Sequence, residues 1–316
     1  MNTELKILIE KIIQAKSIAI MAHKNPDADA LCSCLALMQL IKLNFDKDCV
    51  CVYDGNIPDA LDYVPLRARM KYFNNVDSST PYDLVLLLDY GTPNNIGGTK
   101  VFVDNANYVI EIDHHKNDNK LGHTCINDET AAATGAMIYD IMCELGWQKD
   151  EKILNLLALA ILTDTGMFKF VRSGHSLRIM ADMVDAGVSI GRLMALLNNK
   201  PYKAVQTEAR VASEAEFFYN RRLVLATIDT KAYRNIDGRG EIVLNLLNQI
   251  KGVEYIVLLK QQKVEQIGVS LRSKTCPVND LAESLGGGGH TFAAGAVVHD
   301  TLENVRAKVL KMFEGK

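Results

Sequence analysis

The sequence predicts an α/β protein with an N-terminal doubly wound domain, built on a mostly parallel sheet, and a helical linker to a smaller α/β domain. In the first two-thirds of the chain, short and almost continuously apolar runs alternate with longer helical patterns, as expected for strands covered on both faces. The chain has 316 residues, 48% of them hydrophobic, which exceeds the roughly 250 to 300 residues at which one core stops growing. We therefore expect domains at 1–190 and 216–316, with the linker at 191–215.

Each predicted strand of the first domain is a short apolar run that ends at a polar or turn-forming residue. These runs are 17–22, 49–53, 84–88, 101–103 and 108–112. Helical spacing predicts helices over 31–43, 131–145, 152–163 and 175–186. Residues 1–16 have apolar side chains at helical spacing and no cleavage-site pattern, so we expect a mature amphipathic helix and not a signal peptide.

The second domain begins after a long polar stretch of helical character. New apolar runs predict strands at 222–228, 255–260 and 265–271, and a helix over 240–250. Four consecutive glycines, Gly286 to Gly289, stand near its end. In isolation such a run indicates a flexible hinge, but with His290 and the small residues after it the run indicates a close approach of backbone to a ligand.

Charge and composition exclude several classes of protein. The net charge is -3 and the pI is near 6.2, so a basic surface for a long nucleic acid is not expected, whereas a nucleotide ligand is not excluded. The longest apolar stretch, 156–162, is far below the roughly 20 residues of a spanning helix, so we expect no membrane partner. Seven cysteines without a CxxC pair indicate reduced thiols in a cytoplasmic protein.

Ionisable residues follow the predicted strands where each strand ends. They are His23, Asp27, Asp29, Asp89, Asp113, His114 and His115, with Asp164 at the end of a helix. Taken singly, Asp29 is an ordinary helix cap and Asp89 an ordinary turn residue. Parallel strands, however, bring their carboxyl ends to one sheet edge, where so many ionisable groups would be costly without a cation. Mixed imidazole and carboxylate ligands suit manganese, iron or zinc, and the number of ligands indicates a two-metal site.

These motifs resemble those of the DHH/DHHA1 phosphoesterase family over nearly the whole chain. HKNPDADALCS (23–33), the strand end at Asp89, DHH (113–115) and LTDTGMF (162–168) occur in the family's order. VSLRS (269–273) and LGGGGHTFAAG (285–295) add the signal of the second domain. In length and composition the chain is most similar to the stand-alone members, which hydrolyse short oligonucleotides (nanoRNases) and dephosphorylate 3′-phosphoadenosine 5′-phosphate, pAp.

The resemblance implies a role for each residue at these positions. His23, Asp27 and Asp89 would hold one divalent ion, and Asp29, Asp89, His114 and Asp164 a second, with Mn²⁺ the expected metal. Asp113 would orient a histidine, and His115 would face the substrate phosphate as a hydrogen-bond donor or acid. The substrate-binding residues of the second domain would be Ser270, Arg272, Gly288, Gly289 and His290, holding the nucleotide across an interdomain cleft.

The expected enzyme is thus a phosphoric ester hydrolase that converts short RNA or DNA oligonucleotides to nucleoside monophosphates and pAp to AMP. Other substrates stay open, namely cyclic or linear di-adenosine nucleotides. A family II pyrophosphatase is disfavoured because VSLRSKTCP (269–277) offers only Arg272 and Lys274 for pyrophosphate. A processive single-strand exonuclease would need a basic channel. The alternative outside enzymes is a nucleotide-binding sensor, and a homodimer stays open.

Overall fold

A parallel sheet forms the frame of the first of two units, Met1–Asn199 and Lys200–Lys316. The computed structural model describes residues 2–57, 61–171, 173–236 and 240–315, without the side chain of His290. In this part of the chain, the first unit has strands β1 (Ile18–Met21), β2 (Cys49–Tyr53), β3 (Met70–Tyr72), β4 (Leu84–Leu88), β5 (Val109–Asp113) and β6 (Thr124–Asn127). All neighbouring strands are parallel, in the order β3-β2-β1-β4-β5-β6. The carboxyl ends of β1, β4 and β5 therefore lie side by side.

Helices cover this sheet on both faces. They are α1 (Thr3–Gln14), α2 (Ala28–Phe45), α3 (Lys100–Asn105), α4 (Thr134–Glu144), α5 (Glu151–Asp164), α6 (His175–Asp185) and α7 (Ile190–Leu197). On β1, Ile18 and Ile20 belong to one apolar core, whereas Ala19 and Met21 belong to a second core on the opposite face. Burial on both faces explains why the strands are continuous apolar runs and do not alternate with polar residues.

Helix α2 begins directly after the loop that contains His23 and Asp27. Its N-cap is Asp27, whose Oδ1 accepts a hydrogen bond from Ala30 N at 3.1 Å, the usual way to satisfy a free amide at a helix start. Among the described residues, α2 is also the one helix long and apolar enough to cross a membrane, but 72% of it is buried inside the protein. Core helices share this property, so it is weak evidence for a span.

One predicted strand of the first unit is wrong. Residues 101–103 lie in helix α3, with Phe102 and Val103 buried and Val101 36% exposed. A run of three apolar residues cannot distinguish a strand from one face of a short helix. Strands β3 and β6 were not predicted, because each has only three or four residues and partly exposed side chains.

The second unit is a smaller α/β structure around a mixed sheet. Its described strands are β7 (Glu216–Phe218), β8 (Leu223–Ile228), β9 (Tyr255–Lys263), β10 (Gln266–Ser273), β11 (Gly288–His290) and β12 (Ala293–Val298). The order is β11-β12-β10-β9-β8-β7, with β8 and β9 parallel and the other pairs antiparallel. The helices are α8 (Tyr202–Ser213), α9 (Thr230–Asn235), α10 (Glu241–Asn248), α11 (Asn279–Glu283) and α12 (Leu302–Lys311).

The two faces of the second sheet are covered differently. One apolar core joins α11 and α12 to the sheet and includes Val269 and Leu271 of β10. The core on the other face joins α8, α9 and α10 to β8 and β9, and among the described residues it contains none from β10. The predicted fold class is confirmed for both units. The predicted linker, 191–215, contains most of α7, which belongs to the first unit, and all of α8, which belongs to the second.

Candidate active site

The carboxyl edge of the first sheet gathers the ionisable residues that the sequence places at strand ends. The structure brings together His23, Asp27, Asp29, Asp89, His114, His115 and Asp164. Asp89 directly follows β4, is 2% exposed, and has a left-handed backbone conformation with φ of 48°, which is uncommon for a residue with a Cβ. Asp164 joins the cluster from the last residue of α5.

Three groups of ligand atoms are close enough to hold a metal ion, with the atoms of each group within 4.8 Å of one another. The groups are His23 with Asp27 and Asp89, Asp29 with His114 and Asp164, and Asp89 with His114 and His115. The Nε2 atom of His114 lies 3.6 Å from Asp89 Oδ1 and 3.6 Å from Asp164 Oδ2. Ligand atoms about 2.1 Å from one ion lie roughly 3 to 3.5 Å apart, so this set of donors fits divalent transition metals.

The two predicted imidazole ligands are oriented by backbone carbonyls. His23 Nδ1 lies 2.9 Å from the carbonyl oxygen of Lys24, and His114 Nδ1 lies 3.2 Å from that of Ala131. Because a carbonyl oxygen only accepts hydrogen bonds, each Nδ1 carries the proton and donates it. The Nε2 lone pair of each ring is then free for a cation, an arrangement common among metal-bound histidines.

Asp29 is held in place by the start of helix α4. Its carboxylate accepts hydrogen bonds from Thr134 N at 2.8 Å, Gly135 N at 3.0 Å and Ser33 Oγ at 3.0 Å. The Thr134 hydroxyl also donates to Asp89 Oδ1 at 3.1 Å. Free amides and the helix dipole make a helix N-terminus a good partner for a carboxylate. The start of α4 therefore fixes two of the predicted metal ligands at once.

The protein alone leaves the carboxylates of the cluster poorly neutralised. Burial, and then the charges of neighbouring carboxylates, raise the pKa of Asp89 well above its usual range. Burial also raises the pKa of Asp29, and burial together with the charges of Asp29 and Asp27 raises the pKa of Asp164 to about 8. A bound cation would remove this repulsion and favour the ionised forms.

Asp113 and His115 form a second layer beside the ligands. Asp113 is fully buried, and its carboxylate accepts hydrogen bonds from His115 N at 2.9 Å, Tyr90 N at 3.1 Å and Gly91 N at 2.8 Å. The His115 ring donates from Nδ1 at 2.8 Å. Although burial alone would raise the pKa of Asp113, these bonds lower it, and the same pairing raises the pKa of His115.

A buried network around Glu111 was not predicted from the sequence. Its Oε2 accepts hydrogen bonds from Tyr90 Oη at 2.8 Å and from the backbone amides of Leu121 at 3.0 Å and Gly122 at 2.9 Å. Asn117 Nδ2 donates to Tyr90 Oη at 2.7 Å. The network ties the turn after Asp89 to β5. The available signal was a glutamate inside the apolar run 108–112.

In the second unit, the predicted substrate-binding residues lie on β10 and β11. Ser270 and Arg272 share one face of β10, and Arg272 Nη2 lies 3.0 Å from Glu241 Oε1. Gly288 and Gly289 lie in β11, as does the backbone of His290, whose side chain is outside the described part of the structure.

The second half of the glycine run, Gly288 and Gly289, lies in strand β11, and Gly287 just before it is closely packed, so the run is not a free hinge. A Cβ at Gly287 would lie 2.1 Å from the Gly295 oxygen, and one at Gly289 would lie 2.7 Å from Ala294 Cα. A Cβ at Gly288 would meet no described atom within 4 Å. The close backbone approach expected from the sequence is thus made to β12 at two glycines, while Gly288 faces open space.

The chain matches two known families of domain. Residues 17–161 match the DHH family, N-terminal domain, and residues 231–315 match the DHHA1 domain. A Thermus thermophilus protein named "Bifunctional oligoribonuclease and PAP phosphatase NrnA" is 30% identical over 295 residues, which cover 92% of this chain and 87% of that protein. A Streptococcus mutans protein named as a probable enzyme of that kind is 27% identical over 305 residues, with 96% of each chain covered.

A solved structure shows the same fold. The crystal structure of an exopolyphosphatase-related protein from Bacteroides fragilis superposes with a TM-score of 0.88 at 21% sequence identity. The match covers 98% of this chain and 94% of the other. At this identity the similarity supports the fold alone.

Proposed function

Because this chain belongs to the DHH phosphoesterase family, we propose that it hydrolyses short oligonucleotides to nucleoside monophosphates and converts pAp to AMP. The observation that carries the proposal is the clustering of all six predicted metal ligands at one sheet edge. Relatives named for both activities align along nearly the whole chain, which supports the same substrate class.

We propose that the residues hold two divalent ions, with Mn²⁺ as the expected metal. His23, Asp27 and Asp89 would hold one ion, and Asp29, Asp89, His114 and Asp164 the other, a division supported by two of the observed ligand groups. Bound divalent ions supply Lewis acidity toward phosphoryl oxygens and water.

The remaining residues of the site orient groups and carry protons. Asp113 fixes the ring of His115 through Nδ1 and keeps it protonated to a higher pH than a free imidazole. A protonated His115 would donate a hydrogen bond or a proton to a substrate oxygen, where charge develops during hydrolysis. Thr134 fixes Asp89, and Ser270, Arg272, Gly288, Gly289 and His290 would bind the nucleotide moiety. A cytoplasmic location fits such substrates.

A turnover panel tests this function. The protein with Mn²⁺ is assayed on pAp, RNA and DNA dinucleotides, linear and cyclic di-adenosine nucleotides, pyrophosphate and a long single strand. We expect nucleoside monophosphates from pAp and from the dinucleotides, and much slower turnover of pyrophosphate and the long strand. Preferred hydrolysis of pyrophosphate, or tight nucleotide binding without any turnover, would contradict the proposal.

A further inference from the structure

A cavity of about 410 Å³ lies on the face of the second sheet that carries Ser270. Its lining includes Lys260, Gln262, Gly268, Ser270, Gly287 and Gly295. Among the described lining residues there is no carboxylate. The apolar core on this face contains no described residue of β10. The volume is within the range of small-molecule sites.

Lys260 and Gln262 extend from β9 across the neighbouring strand. Lys260 pairs with Gly268 in the sheet register. A Cβ at position 268 would lie 3.0 Å from Gln262 Nε2 and 3.3 Å from Lys260 Cε. Glycine at 268 therefore leaves the room in which these two side chains lie against β10. An alanine there would require these two side chains to shift by a few tenths of an ångström.

The polar side chains of the cavity have no hydrogen-bond partner among the residues that the structure describes. The side chains of Lys260, Gln262 and Ser270 make no hydrogen bond or ion pair with any residue that the structure describes. Burial lowers the pKa of Lys260, with the attraction of Glu241 opposing this and the charge of Arg272 adding to it. Glu241 itself is paired with Arg272 at 3.0 Å. Because Glu241 is already paired with Arg272, its attraction does not cancel the cost of burying the Lys260 ammonium, and an anionic ligand in the cavity would offset that cost.

We propose that Lys260, with Gln262 and Ser270, binds a phosphate monoester, namely the 5′-phosphate that the substrate retains during hydrolysis. This inference rests on the proposed function, because pAp keeps its 5′-phosphate when it is converted to AMP. An ammonium, an amide and a hydroxyl supply several donors around one anion, and lysine is a common point charge for phosphate. The site would make the enzyme favour nucleotides with a 5′-phosphate over those with a 5′-hydroxyl.

The test compares two dinucleotides of the same sequence, one with a 5′-phosphate and one with a 5′-hydroxyl. The variants are Lys260→Met, the conservative Lys260→Arg, and the control Lys263→Met, which removes an exposed lysine from the same strand. A charge-assisted hydrogen bond contributes enough that the kcat/KM ratio between the substrates should fall about 10- to 100-fold in Lys260→Met. Lys260→Arg should keep part of the preference, and Lys263→Met should keep all of it.

Two outcomes would overturn the subsite. One is an equal loss of kcat/KM on both dinucleotides in Lys260→Met, as expected if the lysine only packs against Gly268. The other is an unchanged ratio. If the wild-type protein hydrolyses neither the dinucleotides nor pAp, the proposed function is wrong. The subsite is then tested by calorimetric measurement of nucleotide binding. Lys260→Met should then bind 5′-AMP at least about tenfold more weakly while binding adenosine as the wild type does; equal binding of 5′-AMP by both proteins would refute it.

Discussion

Replacing Asp113 with asparagine should destabilise the first unit, because this buried carboxylate accepts four hydrogen bonds. Two come from His115 to Oδ1, and two come from the amides of Tyr90 and Gly91 to Oδ2. Asparagine keeps one oxygen and puts an NH₂ group, which cannot accept, at the other position. Two buried donors then lose their acceptor, at about 1 to 3 kcal/mol each, so the free energy of unfolding should fall by about 2 to 6 kcal/mol.

The pH dependence of this loss follows from the two pKa shifts. The pKa of Asp113 is lowered from 3.8, so its contribution is present above pH 3.8 and is lost as the pH falls through the folded value. The pKa of His115 is raised from 6.5, so its contribution is present below pH 6.5 and is lost as the pH rises through the folded value. The difference between wild type and variant should be largest from about pH 4 to 6.5.

Denaturant unfolding in the presence of a chelator measures this difference across the pH range. Asp140→Asn is the matched control, because Asp140 also pairs with a histidine, His175, at 2.8 Å, but both side chains are about half exposed. Exposed pairs of this kind contribute only about 0 to 1 kcal/mol. A loss in Asp113→Asn no greater than in Asp140→Asn would refute the reasoning. Loss of the Asp113 charge should also lower the pKa of His115. If activity with metal restored needs protonated His115, the pH above which activity falls should therefore be lower in the variant.

Three further outcomes are expected. Gly287→Ala should lower the free energy of unfolding by several kcal/mol, because the new Cβ would lie 2.1 Å from Gly295 O. Gly288→Ala should leave the free energy of unfolding nearly unchanged. Equal melting temperatures of the two variants would contradict this packing. Thr134→Val removes the hydroxyl that fixes Asp89 and should weaken Mn²⁺ binding about 10- to 100-fold in a titration. Because the pKa of Asp164 is raised to about 8, Mn²⁺ binding at pH 7 should release protons and tighten as the pH rises; calorimetry that gives the same heat in buffers of different ionisation enthalpy would exclude this.

The cluster of ionisable residues at the sheet edge was predictable because each of its residues has a local signal. A buried parallel strand is an apolar run, and the residue at which the run stops, such as Asp89, necessarily lies at the edge of the sheet. Parallel pairing then brings these ends together without any knowledge of side-chain positions. The predicted roles of the individual ligands, by contrast, came from the resemblance to a family.

Other parts of the structure depend on contacts between distant residues, for which the sequence has no local signal. The three apolar residues at 101–103 form part of a helix that buries Phe102 and Val103 in the second core and leaves Val101 exposed. The partners of Glu111 come from two separate stretches of chain, one at Tyr90 and the other at Leu121 and Gly122. Likewise, the cavity at Lys260 exists because Gly268 lies on the neighbouring strand, a pairing that only the folded sheet creates.

The spread of the metal ligands along the chain has a consequence for synthesis. The first predicted ligand is His23 and the last is Asp164, at the end of α5. A chain growing from its N-terminus therefore completes the predicted group for the first ion at Asp89, but it lacks a predicted ligand of the second ion until α5 has been made. The whole of the second unit is translated afterwards. The nascent protein thus acquires all of its predicted metal ligands before it acquires the residues proposed to bind nucleotide.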